Sequence, residues 1–230
     1  KIKNPEIGNN IYDLRKYEAY QWWYCRNFEA PRLNAGQRVE LVLEGLDCFG
    51  TIWINNRLVG KTDNMLISHL FDITDLLKTE GNNTIFIRID PAVAEGWKYN
   101  NGIIGNHSDF GAEAVSVRKA PHMYGWDIMP RLVSAGLWRE VRLDILKPTR
   151  LEQVYWMTNT VDVTKRKAQL ILDWQFLTDF PTADGLTMEV SLRQDSSVVF
   201  ENSYPLFTHC SRQKISLENV DFWWRGFGEI

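Results

Sequence analysis

The chain has 230 residues, a net charge of −3, 44% hydrophobic residues and 24% charged residues, which allows a packed core and argues against disorder. It has no Lys/Arg tract and no apolar run of the roughly 18 residues that a membrane span needs, so neither nucleic acid nor membrane is an expected partner. Aromatic residues make up 13% of the chain, with 10 Trp, a composition that suits sugar stacking and a β-sandwich core equally well.

Along the chain the hydrophobic period is two. Val39, Leu41 and Leu43 share one face of a predicted strand, with Glu40 and Glu44 opposite. Ile52-Trp53-Ile54 and Leu58-Val59 flank Asn55-Asn56-Arg57, where Asn tolerates the positive φ of a tight hairpin. Asp72 to Lys78 reads as one helical turn capped by Thr74 or Asp72, and a strand through Ile85, Ile87 and Ile89 follows Gly81. From Pro91 to Ala135 no clean strand pattern appears, and so long an excursion in a compact domain is usually functional. Val141, Leu143 and Ile145 resume the alternation before the polar stretch Lys147-Pro148-Thr149-Arg150, where a domain boundary is expected. Beyond it, strands are predicted over 151–159, 168–178, 187–194, 198–204 and 211–217, a spacing that suits an immunoglobulin-like sandwich. The expected fold is therefore all-β, with domains at 1–147 and 148–230.

The residues offer little self-contained chemistry. No G-x-S-x-G, H-E-x-x-H or phosphate-binding glycine loop occurs, and His69, His107, His122 and His209 lack ligand spacing. Cys25, Cys48 and Cys210 are odd in number and widely spaced, which predicts free, buried thiols and no metal centre. No cofactor is expected. Glu95, Asp109, Glu113 and Asp127 are scattered carboxylates of the long loop whose convergence the sequence does not show. The most informative stretch runs from Arg118-Lys119 to Gly125-Trp126-Asp127 and Pro130. There a flat apolar ring sits beside a carboxylate able to accept from vicinal hydroxyls, the usual grip on a sugar. The same residues equally suit an edge-packing Trp and an Asp that caps a turn or pairs with Arg118.

Several motifs, taken in order, resemble glycoside hydrolase family 2. They are Trp23-Tyr24-Cys25-Arg26, Leu43-Glu44-Gly45-Leu46-Asp47, Ile52 to Gly60, Asn64, Phe71 to Leu77 and Gly81 to Ile87. Arg118-Lys119, Gly125-Trp126-Asp127, Pro130 and Gly136-Leu137-Trp138-Arg139 are most similar to its β-mannosidase branch. The resemblance implies a sugar-binding jelly-roll sandwich followed by an immunoglobulin-like sandwich. A (β/α)8 barrel with the two glutamates of a retaining mechanism would come after them. It also implies that this chain is a fragment cut at both ends, without the catalytic glutamates. Its partners would be a terminal β-linked sugar and the C-terminal barrel of the same polypeptide.

By the same resemblance Asp127 is a substrate contact, with Trp126 and Arg118 shaping the rim, while Trp138 and Arg139 are structural. Ile128-Met129 replace a Trp-Gly of the family pattern, and Arg225 stands where Pro is common in the segment from Val220 to Ile230. A periplasmic or secreted location follows from family analogy alone. Two alternatives stay open. One is a stand-alone carbohydrate-binding module; the other is a pair of scaffold domains from a β-galactosidase- or β-glucuronidase-type enzyme.

Overall fold

Val39, Leu41 and Leu43 are fully buried, as the alternation requires, and they form one wall of the first core. The structure, a computed structural model, describes residues 2–99, 112–194 and 196–222. Its chain divides into two compact units, Lys1–Leu146 and Lys147–Ile230.

The first unit opens with a short helix α1 (Asn10–Asp13) and a 3₁₀ turn (Leu14–Ala19), too short to show a periodic stripe in the sequence. Strands β1 (Trp22–Glu29), β2 (Arg38–Leu43), β3 (Leu46–Asp47), β4 (Phe49–Ile54) and β5 (Arg57–Thr62) follow. Then come β6 (His69–Asp72), β7 (Asn82–Asp90), β8 (Gly136–Leu137) and β9 (Val141–Leu146). One antiparallel sheet has the order β1-β7-β4-β5 and another β6-β2-β9, while β3 pairs with β8. Ile52, Ile54, Ile87 and Ile89 from the first sheet meet Val39, Leu41 and Leu43 from the second in one core. Each such aliphatic side chain contributes about 1.5–3 kcal/mol on burial. This is the jelly-roll type of sandwich.

Two local signals proved to be structural devices. Asn55 and Asn56 have φ of 51° and 65°, and Ile54 pairs directly with Arg57, so the hairpin turn is Asn55-Asn56 and Arg57 already belongs to β5. Asp72 Oδ1 accepts from the Thr74 amide at 3.0 Å and from its hydroxyl at 2.7 Å, while Thr74 Oγ1 accepts from the Val39 amide at 2.8 Å. That arrangement ties the 3₁₀ turn Thr74–Leu76 to the start of β2. One expected inward residue departs from the pattern: Ile145 is 44% exposed, because β9 is the outer strand of its sheet.

The second unit contains β10 (Thr149–Asp162), β11 (Lys167–Thr178), β12 (Thr187–Gln194), β13 (Ser197–Pro205) and β14 (Cys210–Glu218). Sheets β10-β11-β14 and β12-β13 enclose Leu172, Trp174, Phe176, Val190 and Ile215, in an immunoglobulin-like sandwich. Strand β10 begins at Thr149, so the polar connection is shorter than its composition suggested. The residues from Trp223 onward, including Arg225, lie outside the described residues.

The cysteines correct an expectation. Only Cys48 is buried; Cys25 and Cys210 are exposed, because each sits on an outer strand face.

Asp72 carries a pH-dependent prediction. Burial alone would raise its carboxyl, but the Thr74 hydroxyl and amide and the Arg38 guanidinium outweigh that and hold it below its ordinary 3.8. A carboxyl depressed in the folded state stabilises fully above the unfolded value, and this is lost as the pH falls through the folded one. Asp72→Ala is expected to cost about 0.5–1 kcal/mol at pH 7, the low end because the side chain is half exposed. In urea titrations that deficit should shrink progressively below pH 3.8; a deficit constant down to pH 2.5 would contradict it.

Candidate functional site

The long excursion between β7 and β8 contains α2 (Ala92–Gly96) and two 3₁₀ turns, Ala112–Ser116 and Pro121–Tyr124. Asn64 and Arg118 form an isolated parallel bridge, with the Met65 amide donating to the Arg118 carbonyl at 3.0 Å. Val117 and Lys119, on either side of the bridging residue, are buried and Arg118 is exposed.

From there the chain folds back on itself. The Leu132 amide donates to the Met123 carbonyl at 2.9 Å. The Trp126 amide donates to Met129 O at 3.0 Å, and the Met129 amide to Trp126 O at 3.2 Å. Residues 126–129 thus form the tip, with Asp127 and Ile128 at its turn. Gly125, with φ of 113°, makes the bend that precedes them, a conformation closed to ordinary side chains. Trp126 is 60% exposed and Ile128 87% exposed, and Asp127 is exposed between them. Trp126 and Asp127 therefore share the tip, whereas Arg118 belongs to the base. Among the described residues, Asp127 and Arg118 form no ion pair with each other.

Two charge assemblies, one partly and one fully buried, hold this loop. Arg131 donates through Nε and Nη2 to both carboxylate oxygens of Glu18 and through Nη1 to Glu113 at 2.7 Å. Its guanidinium also lies 5.4 Å from the centroid of the buried Tyr124 ring. Glu18 comes from the 3₁₀ turn Leu14–Ala19 and Glu113 from the 3₁₀ turn Ala112–Ser116, so one guanidinium joins three separate segments. Nearer the sandwich, Lys119 Nζ donates to Asp47 Oδ2 and to the Ser134 carbonyl, the latter at 2.7 Å. The Ser134 hydroxyl reaches the same Asp47 oxygen at 3.2 Å.

The chemistry open to these groups is binding. Glu113 is buried against Arg131, and Asp47 is buried against Lys119. Burial pushes the Asp47 carboxyl up and the Lys119 ammonium down from their ordinary values. Burial, reinforced by the neighbouring Asp47, pushes the Cys48 thiol up to about 12, which leaves it unreactive as a nucleophile. Of the loop carboxylates, Glu95 pairs with Lys98 at 2.6 Å, and Asp109 lies outside the described residues. The exposed Trp97 ends α2 and remains available to solvent.

Trp138 and Arg139 stack on each other, with the guanidinium 4.2 Å from the ring centroid, and the Trp138 amide donates to Gly45 O at 3.0 Å. A Cβ at Gly45 would come within 2.7 Å of that indole, so the glycine is required there. A cavity of about 430 Å³ lies away from this loop, between β1 and β9, lined by Phe28, Leu41, Ile54, Ile87 and Leu143 with Tyr24, Arg26 and Arg142 as its polar members. It has no carboxylate in its lining and opens onto the apolar core.

Comparison with known proteins concerns mainly this first unit. The family model described as glycosyl hydrolase 2 galactose-binding domain-like matches residues 1–139, a span that includes the whole loop. Beta-mannosidase B of Aspergillus flavus is 35% identical over 148 residues, covering 63% of this chain and 18% of that protein. Beta-mannosidase B of Thermothelomyces thermophilus is 32% identical over 176 residues, covering 74% of this chain and 20% of that protein. The chain thus spans about a fifth of the length of these curated relatives. Among solved structures, the beta-D-mannosidase of Dictyoglomus thermophilum matches with a TM-score of 0.83 and 26% identity, over 99% of this chain and 28% of that one. A Bifidobacterium dentium beta-glucuronidase matches at 0.64 with 19% identity, over 90% of this chain and 35% of that one, a likeness of fold alone.

The Arg131 assembly is directly testable. Arg131→Met leaves the buried Glu113 carboxylate without its cation and should lower stability by about 2–4 kcal/mol, somewhat less than for a fully enclosed pair. Limited proteolysis should then cut within 120–133 faster than in the parent protein. An unchanged unfolding midpoint and cleavage pattern would mean that Arg131 does not hold the loop.

Proposed function

This chain belongs to glycosyl hydrolase family 2, and we propose that it forms the two non-catalytic β-sandwich units of a retaining exo-β-glycosidase of β-mannosidase type. Its role is to contribute one wall of the active site. The observation that carries this reading is the tip of the 118–134 loop, where an exposed indole and an exposed carboxylate are neighbours on a loop held by the Lys119–Asp47 and Arg131–Glu113 ion pairs. Asp127 accepts hydrogen bonds from ring hydroxyls of the terminal sugar. Trp126 offers its face to the sugar C–H surface, and Arg118, lower on the loop, shapes the rim.

Bond cleavage with retention needs two carboxyl groups about 5–5.5 Å apart, one acting as nucleophile and the other as acid and then base. In this reading those groups belong to a barrel elsewhere in the polypeptide. Asp127 works by differential binding. A hydroxyl gripped by a fixed carboxylate is held more tightly as positive charge develops on the sugar ring, which lowers the barrier without any proton leaving Asp127. Exposed Ile128 beside it gives the rim a second apolar surface in place of an aromatic one. The sugar class, a terminal β-mannoside, is supported by the two fungal relatives and the Dictyoglomus structure, all named as mannosidases.

Asp127→Ala in the full-length polypeptide should lower kcat/KM for an aryl β-mannoside by about a hundredfold or more, with kcat carrying most of the loss. Unchanged kcat/KM would remove Asp127 from the site. The 230-residue chain by itself holds only one wall of the pocket, so calorimetric titration with mannose or mannobiose should give a Kd no tighter than about 1 mM. Micromolar binding would instead mark a complete carbohydrate-binding module.

A further inference from the structure

Lys119 is 1% exposed and Asp47 3% exposed, an ammonium and a carboxylate enclosed together at the end of a β-sandwich. A buried pair of this kind is poor evidence for stability, because apolar side chains of similar volume often stabilise as much or more. Here the case for stability is weaker still. Asp47 Oδ1 is buried with no hydrogen-bond partner among the described residues, a deficit that usually costs about 1–3 kcal/mol. Stability alone is therefore a weak account of the arrangement.

Its place in the chain suggests another. Lys119 directly follows the Arg118 bridge to Asn64, where the loop departs, and Ser134 shortly precedes β8, where it returns. The Lys119 ammonium bonds the Ser134 carbonyl, and Asp47 on β3 receives both Lys119 Nζ and Ser134 Oγ. Further out, Met123 is bonded to Leu132 and Trp126 to Met129. These contacts close the loop rung by rung: Lys119 with Ser134 at the base, Met123 with Leu132 in the middle, Trp126 with Met129 at the tip. Strand β3 pairs with β8, so Asp47 fixes the lowest rung to the rigid sandwich. The Arg131 assembly joins the loop to Glu18 and Glu113 further out, beside the Met123–Leu132 rung.

We propose that Lys119, held by Asp47, is a positioning residue that sets the direction in which the loop presents Asp127 to substrate. The proposal rests on the reading of Asp127 as a substrate contact. A misplacement of about 1 Å at a catalytic or binding group can cost as much as a hundredfold in rate, so a rigid base is worth the burial of two charges.

The test uses the full-length enzyme and an aryl β-mannoside, with K119M/D47N as the main variant because it removes both charges and strands neither. D127A and the combined K119M/D47N/D127A complete the cycle. The expected result is a cooperative unfolding transition for K119M/D47N within about 3 °C of the parent. Its kcat/KM should fall by about ten- to a hundredfold, mainly in kcat, and the same pair of changes should cost less than about twofold in the D127A background. A wild-type kcat/KM for K119M/D47N alongside a severe D127A defect would overturn the positioning role and leave the Asp127 reading intact. A further large loss on top of D127A would mark a general structural effect and equally overturn it, as would a double variant that fails to fold. If D127A itself is silent, the Asp127 reading fails independently of Lys119.

Discussion

A loop that leaves a sandwich and returns to it has few backbone partners of its own, so side chains must hold its shape. In this protein they are charged ones. Arg131 draws Glu18 and Glu113 together from two separate 3₁₀ turns, and Lys119 closes the base of the loop on Asp47 and Ser134. Charges buried in this way cost solvation and return it only through close, directional pairing. Their strength here is geometric: a guanidinium or ammonium with fixed partners tolerates little displacement. The exposed Trp126–Asp127 tip can therefore be surface and still be held in place.

Around that loop the sandwich acts as a frame. Aliphatic residues from both sheets fill its core, and the polar devices sit at its ends. Asn83 is a second case. Fully buried, its side chain accepts from Asn55 Nδ2 at 2.7 Å and from the Lys78 amide at 2.8 Å, joining the β4–β5 hairpin to the segment that precedes β7. Buried polar side chains thus do for the irregular segments what the strand ladder does for the sheets. The division of labour follows from the chemistry: apolar burial is non-directional and holds the layers together, while hydrogen-bonded charges specify one arrangement of loops.

Much of the strand layout was legible because burial on one face imposes a local period. The alternations at 39–43 and 85–89 became β2 and β7, the strands predicted over 168–178 and 187–194 became β11 and β12, and the paired asparagines became the turn before β5. The exceptions have physical reasons. Val42 is buried although it shares parity with Glu40 and Glu44, because β2 is the middle strand of its sheet. Ile145 follows the inward parity but lies on an outer strand. The exposure of Cys25 and Cys210 was not legible, since a small thiol gives no periodic signal of its own.

Trp126 and Asp127 could be singled out from the sequence because they are neighbours, and adjacency survives folding. Their supports could not. Glu18 and Arg131 are 113 residues apart, and Asp47 and Lys119 are 72 apart, with nothing in the local pattern around either to name its partner. The sequence by itself determined the strands, the turns and the residue types at the loop tip, all set by forces acting over a few residues. Only the tertiary structure decided which charges meet, because pairing at that separation depends on where the sheets bring the chain back.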